Sequence, residues 1–350
     1  MDAFFAAVEE RDHEWLKNKP IVVGADPKGG GGRGVVSTAN YKAREYGIHS
    51  AMPISKAWQL AKEGEKLGKP RVEFVHSHFP SYEKTSERIF AIIRKYSPKI
   101  EPASVDEAYF DLSEIADSFA LAKEVCIKIK LEIKNKEKLT CSIGLAKNKL
   151  IAKIASDRQK PDGLTIVVSE KTEAFLDPLP IRVIPGIGPK TQIIFEKEKL
   201  KLVQDLKKLS QAKLENMLGK WGIELYQKIR GEDDSPVLEG YEIKSIGEQE
   251  TFEKDTLDPS FLLLRLQILS ESVWKRMQKE LFRTFKTVVV TVRFQDFTTV
   301  SRSKTSKTPL KTSKELHGET LKLFFPFIYG KENPKRKLLR LIGVRIEKLK

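Results

Sequence analysis

Ala103-Ser104-Val105-Asp106-Glu107-Ala108-Tyr109 sets two adjacent carboxylates between two short β-like runs, Lys99-Ile100-Glu101-Pro102 and Ala108-Tyr109-Phe110-Asp111-Leu112. The small residues between the runs fit a tight hairpin with Asp106 and Glu107 at its rim. Neighbouring side chains on a regular strand face opposite sides of the sheet, so both acids can serve one cation only where the backbone turns or is irregular. A bare Asp-Glu pair is more often a solvated turn, so the weight falls on its surroundings.

Those surroundings are basic. The 350 residues carry 63 Lys plus Arg against 48 Asp plus Glu, a formal charge of +15. Such a balance favours a polyanionic partner, nucleic acid ahead of an acidic membrane surface. No apolar run approaches the ~20 residues that span a bilayer, and no charged-then-apolar leader opens the sequence, so a cytoplasmic protein is expected. Cys126 and Cys141 match neither metal-ligand spacing nor a disulfide framework and read as core. His76 and His78 flank a serine with no further ligand cluster nearby, which argues against a metal site there. The length implies two or more domains.

Along the chain, Phe4 to Glu10 begins a helix and Pro20-Ile21-Val22-Val23 is a short buried strand. Lys28 to Gly34 holds five glycines but lacks the Gly-Lys-Ser/Thr ending of a phosphate loop, and reads as a mobile hairpin loop. A helix starting at Thr38 puts Tyr41, Arg44 and Glu45 on neighbouring faces. Ile89, Ile92, Ile93 and Tyr96 recur at helical spacing, as do Ala122, Val125, Ile129 and Ile133. Both helices are expected to pack on one sheet made of the carboxylate hairpin, Leu139 to Leu145 and Leu164 to Val168, an α+β layout with helices on one side.

Ile184-Pro185-Gly186-Ile187-Gly188-Pro189-Lys190-Thr191 lacks the third glycine of a dinucleotide fingerprint and fits a helix-hairpin-helix turn. Gly186 and Gly188 there let backbone N–H groups approach a DNA phosphate, and Lys190 adds charge; a plain interhelical turn is the other reading. Asp233 to Lys244 reads as a linker. Beyond it, Phe261 to Leu281 is amphipathic, Thr287 to Phe294 is the strongest strand signal, Ser301 to Lys314 is rich in Ser, Thr and Lys, and Leu338 to Ile346 closes with a strand. Strand-borne Lys244, Ser245, Arg293, Ser301 and Arg302 suit a phosphate backbone. Leu321 to Phe327 reads as core rather than as a sliding-clamp peptide, and clamp binding stays open.

Met1-Asp2-Ala3-Phe4-Phe5-Ala6-Ala7-Val8-Glu9, Ser37-Thr38-Ala39-Asn40-Tyr41-Lys42-Ala43-Arg44, Ser104-Val105-Asp106-Glu107-Ala108-Tyr109 and Ser142-Ile143-Gly144-Leu145-Ala146-Lys147-Asn148-Lys149 together resemble the Y-family DNA polymerases of the polymerase IV type, in order and spacing over essentially the whole chain. The resemblance implies a right-hand polymerase. Its palm, an antiparallel sheet plus helices, would take residues 1–4 and 72–168. Inserted fingers would take 5–71, a small helical thumb 169–233, a linker 234–244, and an α/β little finger that binds DNA 245–350. It implies a monomer that binds primer-template DNA and deoxynucleoside triphosphates and carries out low-fidelity translesion synthesis with two magnesium ions. Asp106 and Glu107 would be the catalytic metal ligands. Tyr41, Arg44 and Lys160 match the triphosphate contacts, Phe5 the aromatic that excludes a ribose 2′-hydroxyl, and Val35 and Ser37 the cover of the nascent base pair.

One departure stands out. The family pattern is an apolar strand ending in Asp-x-Asp, and this sequence begins at the x. Asp2 corresponds to the second aspartate, and a metal role for it is a further expectation rather than a match. An internal Met1 with the strand upstream, and a gap in the palm sheet, are the accompanying expectations. Two competing readings remain: a catalytically silent primer-template-binding scaffold, and another palm-type nucleotidyl enzyme such as a cyclase.

Overall fold

The computed structural model describes residues 1–240 and 242–350; Tyr241, inside the stretch read as a linker, lies outside the described residues. The chain divides into two units, the first made of Met1–Asp26 and Val35–Gly240, the second of Pro27–Gly34 and the residues after Gly240.

The first unit opens with α1 (Phe4–Asp12), β1 (Ile21–Gly24), β2 (Val36–Ala39), α2 (Tyr41–Arg44), α3 (Ile54–Lys66) and β3 (Glu73–His76). The strands form a small sheet in the order β2-β1-β3, antiparallel then parallel. Val22 on one face of β1 packs with Ala43, Ile54, Ala57 and Ala61, whereas Ile21 and Val23 on the other face join a second core, as the two-residue period of a strand requires. That second core also holds Phe4, Ala6 and Val8 of α1, although all of α1 after Phe4 falls within the span 5–71 that the sequence assigned to the fingers.

The next elements are α4 (Phe79–Arg94), β4 (Ile100–Pro102), β5 (Ala108–Phe110), α5 (Phe119–Glu137), β6 (Ile143–Ala146), α6 (Lys149–Ser156) and β7 (Leu164–Val167). The apolar periodicity places both long helices correctly: Ile89, Ile92 and Ile93 of α4 and Ala122, Ile129 and Ile133 of α5 are buried together. The single sheet expected over them is not formed. Among the described residues β4 pairs only with β5, antiparallel, and β6 only with β7. The β6–β7 pair is moreover parallel, because the α6 crossover returns the chain in its original direction; the expectation of a purely antiparallel palm sheet is corrected here. β5 and β6 face each other across an open cleft of about 750 Å³, floored by Ile89, Ile93, Ala122, Cys126, Ile129 and Ile133. Met1 and Asp2 touch the two sides in turn: the Met1 nitrogen donates to the Asp106 carbonyl (2.6 Å) and the Asp2 N–H to the Thr140 carbonyl (3.2 Å). Burial pushes the Cys126 thiol up to about 12 and the Cys141 thiol up to about 11, in keeping with core positions.

Five short helices follow: α7 (Thr172–Leu176), α8 (Pro189–Lys197), α9 (Val203–Lys207), α10 (Gln211–Leu218) and α11 (Lys220–Lys228). They share a core with Leu150, Ile151 and Ile154 of α6. The turn read as helix-hairpin-helix is there. Pro189 opens α8, Gly186 takes a φ of 100° that only glycine adopts readily, and a Cβ on it would lie 2.8 Å from the Trp221 ring.

The second unit contains β8 (Ser245–Thr256), α12 (Pro259–Lys279), β9 (Phe285–Phe294), β10 (Thr299–Leu310), α13 (Ser313–Ile328) and β11 (Leu339–Glu347). Its antiparallel sheet runs β10-β9-β11-β8, and α12 and α13 bury Leu262, Leu266, Phe324 and Phe327 against it. Leu321 to Phe327 is therefore part of a helix with core residues, as read. The glycine-rich loop, expected to be mobile, belongs to this unit: Arg33 donates to the Phe252 carbonyl (3.1 Å) and pairs with Asp255 (2.5 Å). Charge pairing holds a segment whose glycines alone promised freedom.

The tightest packing in the first unit is α6 on β6. A Cβ built on Gly144 would sit 1.9 Å from the Ala152 carbonyl oxygen and 2.5 Å from the Ser156 nitrogen, both backbone atoms of α6. Gly144→Ala must push the helix off the strand, so it is expected to cost about 3 kcal/mol, read as a lower midpoint in chemical denaturation. A variant as stable as the parent overturns this account of the packing.

Candidate active site

The hairpin between β4 and β5 is irregular where the carboxylates lie. Ala103 and Ser104 both donate backbone N–H bonds to the Glu107 carbonyl (2.8 and 3.1 Å), closing a tight loop. The Ser104 hydroxyl accepts from the backbone N–H groups of Asp106 (3.3 Å) and Glu107 (3.1 Å) and donates to Asp106 Oδ1 (2.8 Å). This side-chain turn competes with strand pairing and frees two consecutive carboxylates from the alternation of a strand. Asp106 and Glu107 open onto the same cleft as Lys147, Lys149, Lys153 and Lys160.

Lysines of this cleft are held in ion pairs. Glu107 pairs with Lys153, and Lys160 pairs with Asp157 at 2.7 Å. Burial pulls the Lys153 ammonium down, but its hydrogen bond to Glu107 and the charge of Asp157 outweigh that and hold it above the usual lysine range. Deeper in, Glu101 is only 3% exposed and accepts from Lys149 Nζ through both oxygens (3.1 and 2.8 Å). Lys149 also donates to the Pro236 carbonyl (2.8 Å), Glu101 accepts from the Leu238 N–H (2.8 Å), and the Leu150 N–H at the start of α6 donates to Asp233 (3.0 Å). The first half of the expected linker is thus irregular but tied to β4 and α6.

Asp2 takes another place. It is 3% exposed, and its two oxygens accept from the Ser142 hydroxyl (2.7 Å) and the Asp162 N–H (2.9 Å). These bonds staple the segment before α1 to β6 and to the turn before β7. Among the described residues no group of three or more His, Cys, Asp or Glu is gathered to hold a metal. The acidic pair itself suits a hard cation, which favours carboxylate oxygens, and an ammonium already rests on Glu107.

Tyr41 and Arg44 do point together: the guanidinium lies 4.7 Å from the centre of the Tyr41 ring. Asn40 makes this possible by capping α2 through Ala43 N–H while also accepting from Ile21 N–H, both at 3.0 Å. Burial raises the Tyr41 phenol, and the charges of Asp2 and Asp157 raise it further. Its hydroxyl is buried and has no hydrogen-bond partner, an atom that awaits a polar group. Phe5 stacks on Tyr82 with ring centres 4.4 Å apart, and Tyr82 is fixed by its hydroxyl donating to Glu9 (2.6 Å). Val35 is 50% exposed, and the Ser37 hydroxyl lies 3.4 Å from that of Ser77.

Residues 1–157 match the impB/mucB/samB family, residues 243–350 its C-terminal domain, and residues 182–233 the thumb domain of DNA polymerase-iota. The chain belongs to the Y family of DNA polymerases. It is 40% identical to DNA polymerase IV 2 of Methanosarcina mazei over 100% of this chain and 91% of that one, and 40% identical to DNA polymerase IV of Methanoculleus marisnigri over 100% and 92%. The Y-family DNA polymerase chimera Dbh-Dpo4(243-245)-Dbh has a TM-score of 0.87 at 31% identity, covering 99% of this chain and 97% of that chain. DinB from Sulfolobus solfataricus gives 0.63 at 30%, with the same coverage. The fold is that of this family: α+β, with a helix-hairpin-helix thumb and a C-terminal little finger.

Of the DNA-contact candidates, Gly186, Lys190, Lys244, Ser245, Ser301 and Arg302 are exposed, and Gly188 and Arg293 are half-buried. Ser245 on β8 and Ser301 and Arg302 on β10 lie on the two edge strands of their sheet. Lys244 immediately precedes β8, and Arg293 lies on the inner strand β9, where it donates to the Thr299 hydroxyl (2.9 Å). Arg302 pairs with Glu332. The reading of the sequence missed Lys153, Asp157 and the Glu101–Lys149 pair, although Lys149, Lys153 and Asp157 stand at four-residue steps that a helix brings onto one face.

Removing one member of a buried pair leaves an uncompensated charge. Lys149→Met is expected to destabilise the chain by about 3 kcal/mol and to speed hydrogen exchange at Leu238. Lys149→Met with Glu101→Met should recover most of the stability and none of the exchange protection. Unchanged exchange at Leu238 in the single variant would show that the pair does not anchor this segment.

Proposed function

We propose that the chain is a template-directed DNA polymerase that adds deoxynucleotides to a primer 3′-hydroxyl in low-fidelity translesion synthesis, acting as a cytoplasmic monomer. The observation that carries this reading is the irregular hairpin that frees Asp106 and Glu107 side by side at the mouth of a lysine-lined cleft, in a chain of this family. No helix among the described residues is long and apolar enough to cross a membrane.

Asp106 and Glu107 would hold magnesium, which when bound lowers the pKa of the attacking hydroxyl and offsets charge on the leaving oxygen. The chain's own part is positioning and charge. Lys160, Arg44 and the unpartnered Tyr41 hydroxyl would bind the triphosphate, whose negative charge needs several cations and donors. Phe5, held flat on Tyr82, would bar a 2′-hydroxyl, and Val35 and Ser37 would cover the new base pair. Gly186, Gly188 and Lys190 would take the DNA backbone at the start of α8, and Lys244, Ser245, Arg293, Ser301 and Arg302 would take it on the C-terminal sheet. We also read the division into palm, fingers, thumb and little finger with the boundaries stated above, except that α1 is taken with the palm, in whose core it packs.

A second reading, a primer-template-binding scaffold without activity, is favoured by one observation: Asp2 is committed to Ser142 and Asp162, and among the described residues no third carboxylate joins the pair. Primer extension with magnesium separates the two. Extension is expected from the parent chain and a loss of at least about a thousandfold from Asp106→Ala with Glu107→Ala, with DNA binding retained. Equal extension by both would sink the assignment of the carboxylates; binding without extension by the parent supports the scaffold.

The cleft between the β5 and β6 edges supports a place for the apolar strand that the family carries ahead of Asp2. Joining such a segment, ending in Asp-Met, to Asp2 is expected to raise the melting temperature by about 4 °C or more and to increase extension. No change in either would show that the cleft is not a strand position.

A further inference from the structure

Four charged side chains stand in file along α6 and the turn after it. Glu107 pairs with Lys153, Lys153 Nζ lies 3.8 Å from Asp157, and Asp157 pairs with Lys160 at 2.7 Å. Acid and base alternate, so each inner member has two partners within reach. Lys153 stands between Glu107 and Asp157, and Asp157 stands between Lys153 and Lys160.

Under the proposed function the outer members leave the file. A cation takes Glu107, and a polyphosphate takes Lys160. Losing Glu107 leaves Lys153 with Asp157, one turn away at a spacing a helix favours. Losing Lys160 leaves Asp157 with Lys153. The same inner pair forms whichever outer member goes first. As the file stands, either ligand alone must break a pair that the other would have broken for it.

We propose that Lys153 and Asp157 form a partner-exchange relay that couples cation binding at Glu107 to polyphosphate binding at Lys160. The inference rests on that reading of Glu107 and Lys160. Cation arrival draws Lys153 onto Asp157 and releases Lys160; polyphosphate arrival draws Asp157 onto Lys153 and releases Glu107. The coupling is reciprocal by linkage. Lys153 and Asp157 are positioning residues: they act through Glu107 and Lys160. Their side chains are 28% and 50% exposed, so each exchange is worth a few-fold in affinity rather than orders of magnitude.

Simple charge effects would imitate the relay in single variants, because removing a lysine favours cations and removing an aspartate favours anions. The double variant Lys153→Met/Asp157→Asn leaves the net charge unchanged and takes away both competitors. Isothermal titration of the full chain with manganese alone, and separately with inorganic tripolyphosphate alone, reads the two affinities without turnover. Both ligands are expected to bind the double variant about three- to fivefold more tightly than the parent. Lys153→Gln/Asp157→Asn serves as a second version, and circular dichroism melting checks that either is folded. Unchanged affinities in a folded double variant overturn the relay while leaving the function untouched. Manganese binding that is absent from the parent, or indifferent to Glu107→Gln, overturns the cation site itself and the relay with it.

Discussion

Helix α6 lies on strand β6 with bare backbone between them at Gly144, and most of the candidate site follows from that contact. A helix seated this closely cannot roll. Lys149 is therefore turned inward to the buried Glu101, and Lys153, one turn on, is presented to Glu107. The same seating carries Leu150, Ile151 and Ile154 into the core shared with the short helices. One missing side chain thus joins the sheet, the carboxylate hairpin and the helical region that follows.

Four acids around the candidate site are matched with cations in spite of the strong positive balance of the chain: Glu101 with Lys149, Glu107 with Lys153, Asp157 with Lys160, and Asp162 with Lys130 and Lys134. Asp106 and Asp2 instead accept from the Ser104 and Ser142 hydroxyls. Hydrogen bonding to Lys130 is the main cause that holds the Asp162 carboxyl below its usual range. Lys149, Lys153 and Lys160 are engaged by acids and become available to a polyanion as those acids find other partners.

Much of this could be read in the sequence wherever the signal was local. The helical period of Ile89, Ile92 and Ile93 located α4, and the small residues around Asp106 located a turn. Gly186 marked a turn whose φ of 100° needs it. What could not be read depended on contacts remote along the chain. The period of two gives a strand its faces but not its neighbours, so Leu139 to Leu145 was joined to the hairpin when its partner is β7. The four-residue steps of Lys149, Lys153 and Asp157 went unread, and nothing local to them announces that Glu101 is buried beneath Lys149. The glycines after Lys28 indicated a free loop because nothing nearby announced the partners of Arg33, more than two hundred residues later.

The two half-sheets have a consequence for how the protein behaves in bulk. Strand edges that end at an open cleft present backbone groups to any extended chain that comes close, and such edges promote association between copies. Here the safeguard is electrostatic: molecules that each carry +15 repel one another. That safeguard is conditional. Salt shortens its range, and a polyanion in less than saturating amount cancels it. Colloidal stability should therefore pass through a minimum as nucleic acid is added and return when every copy is coated.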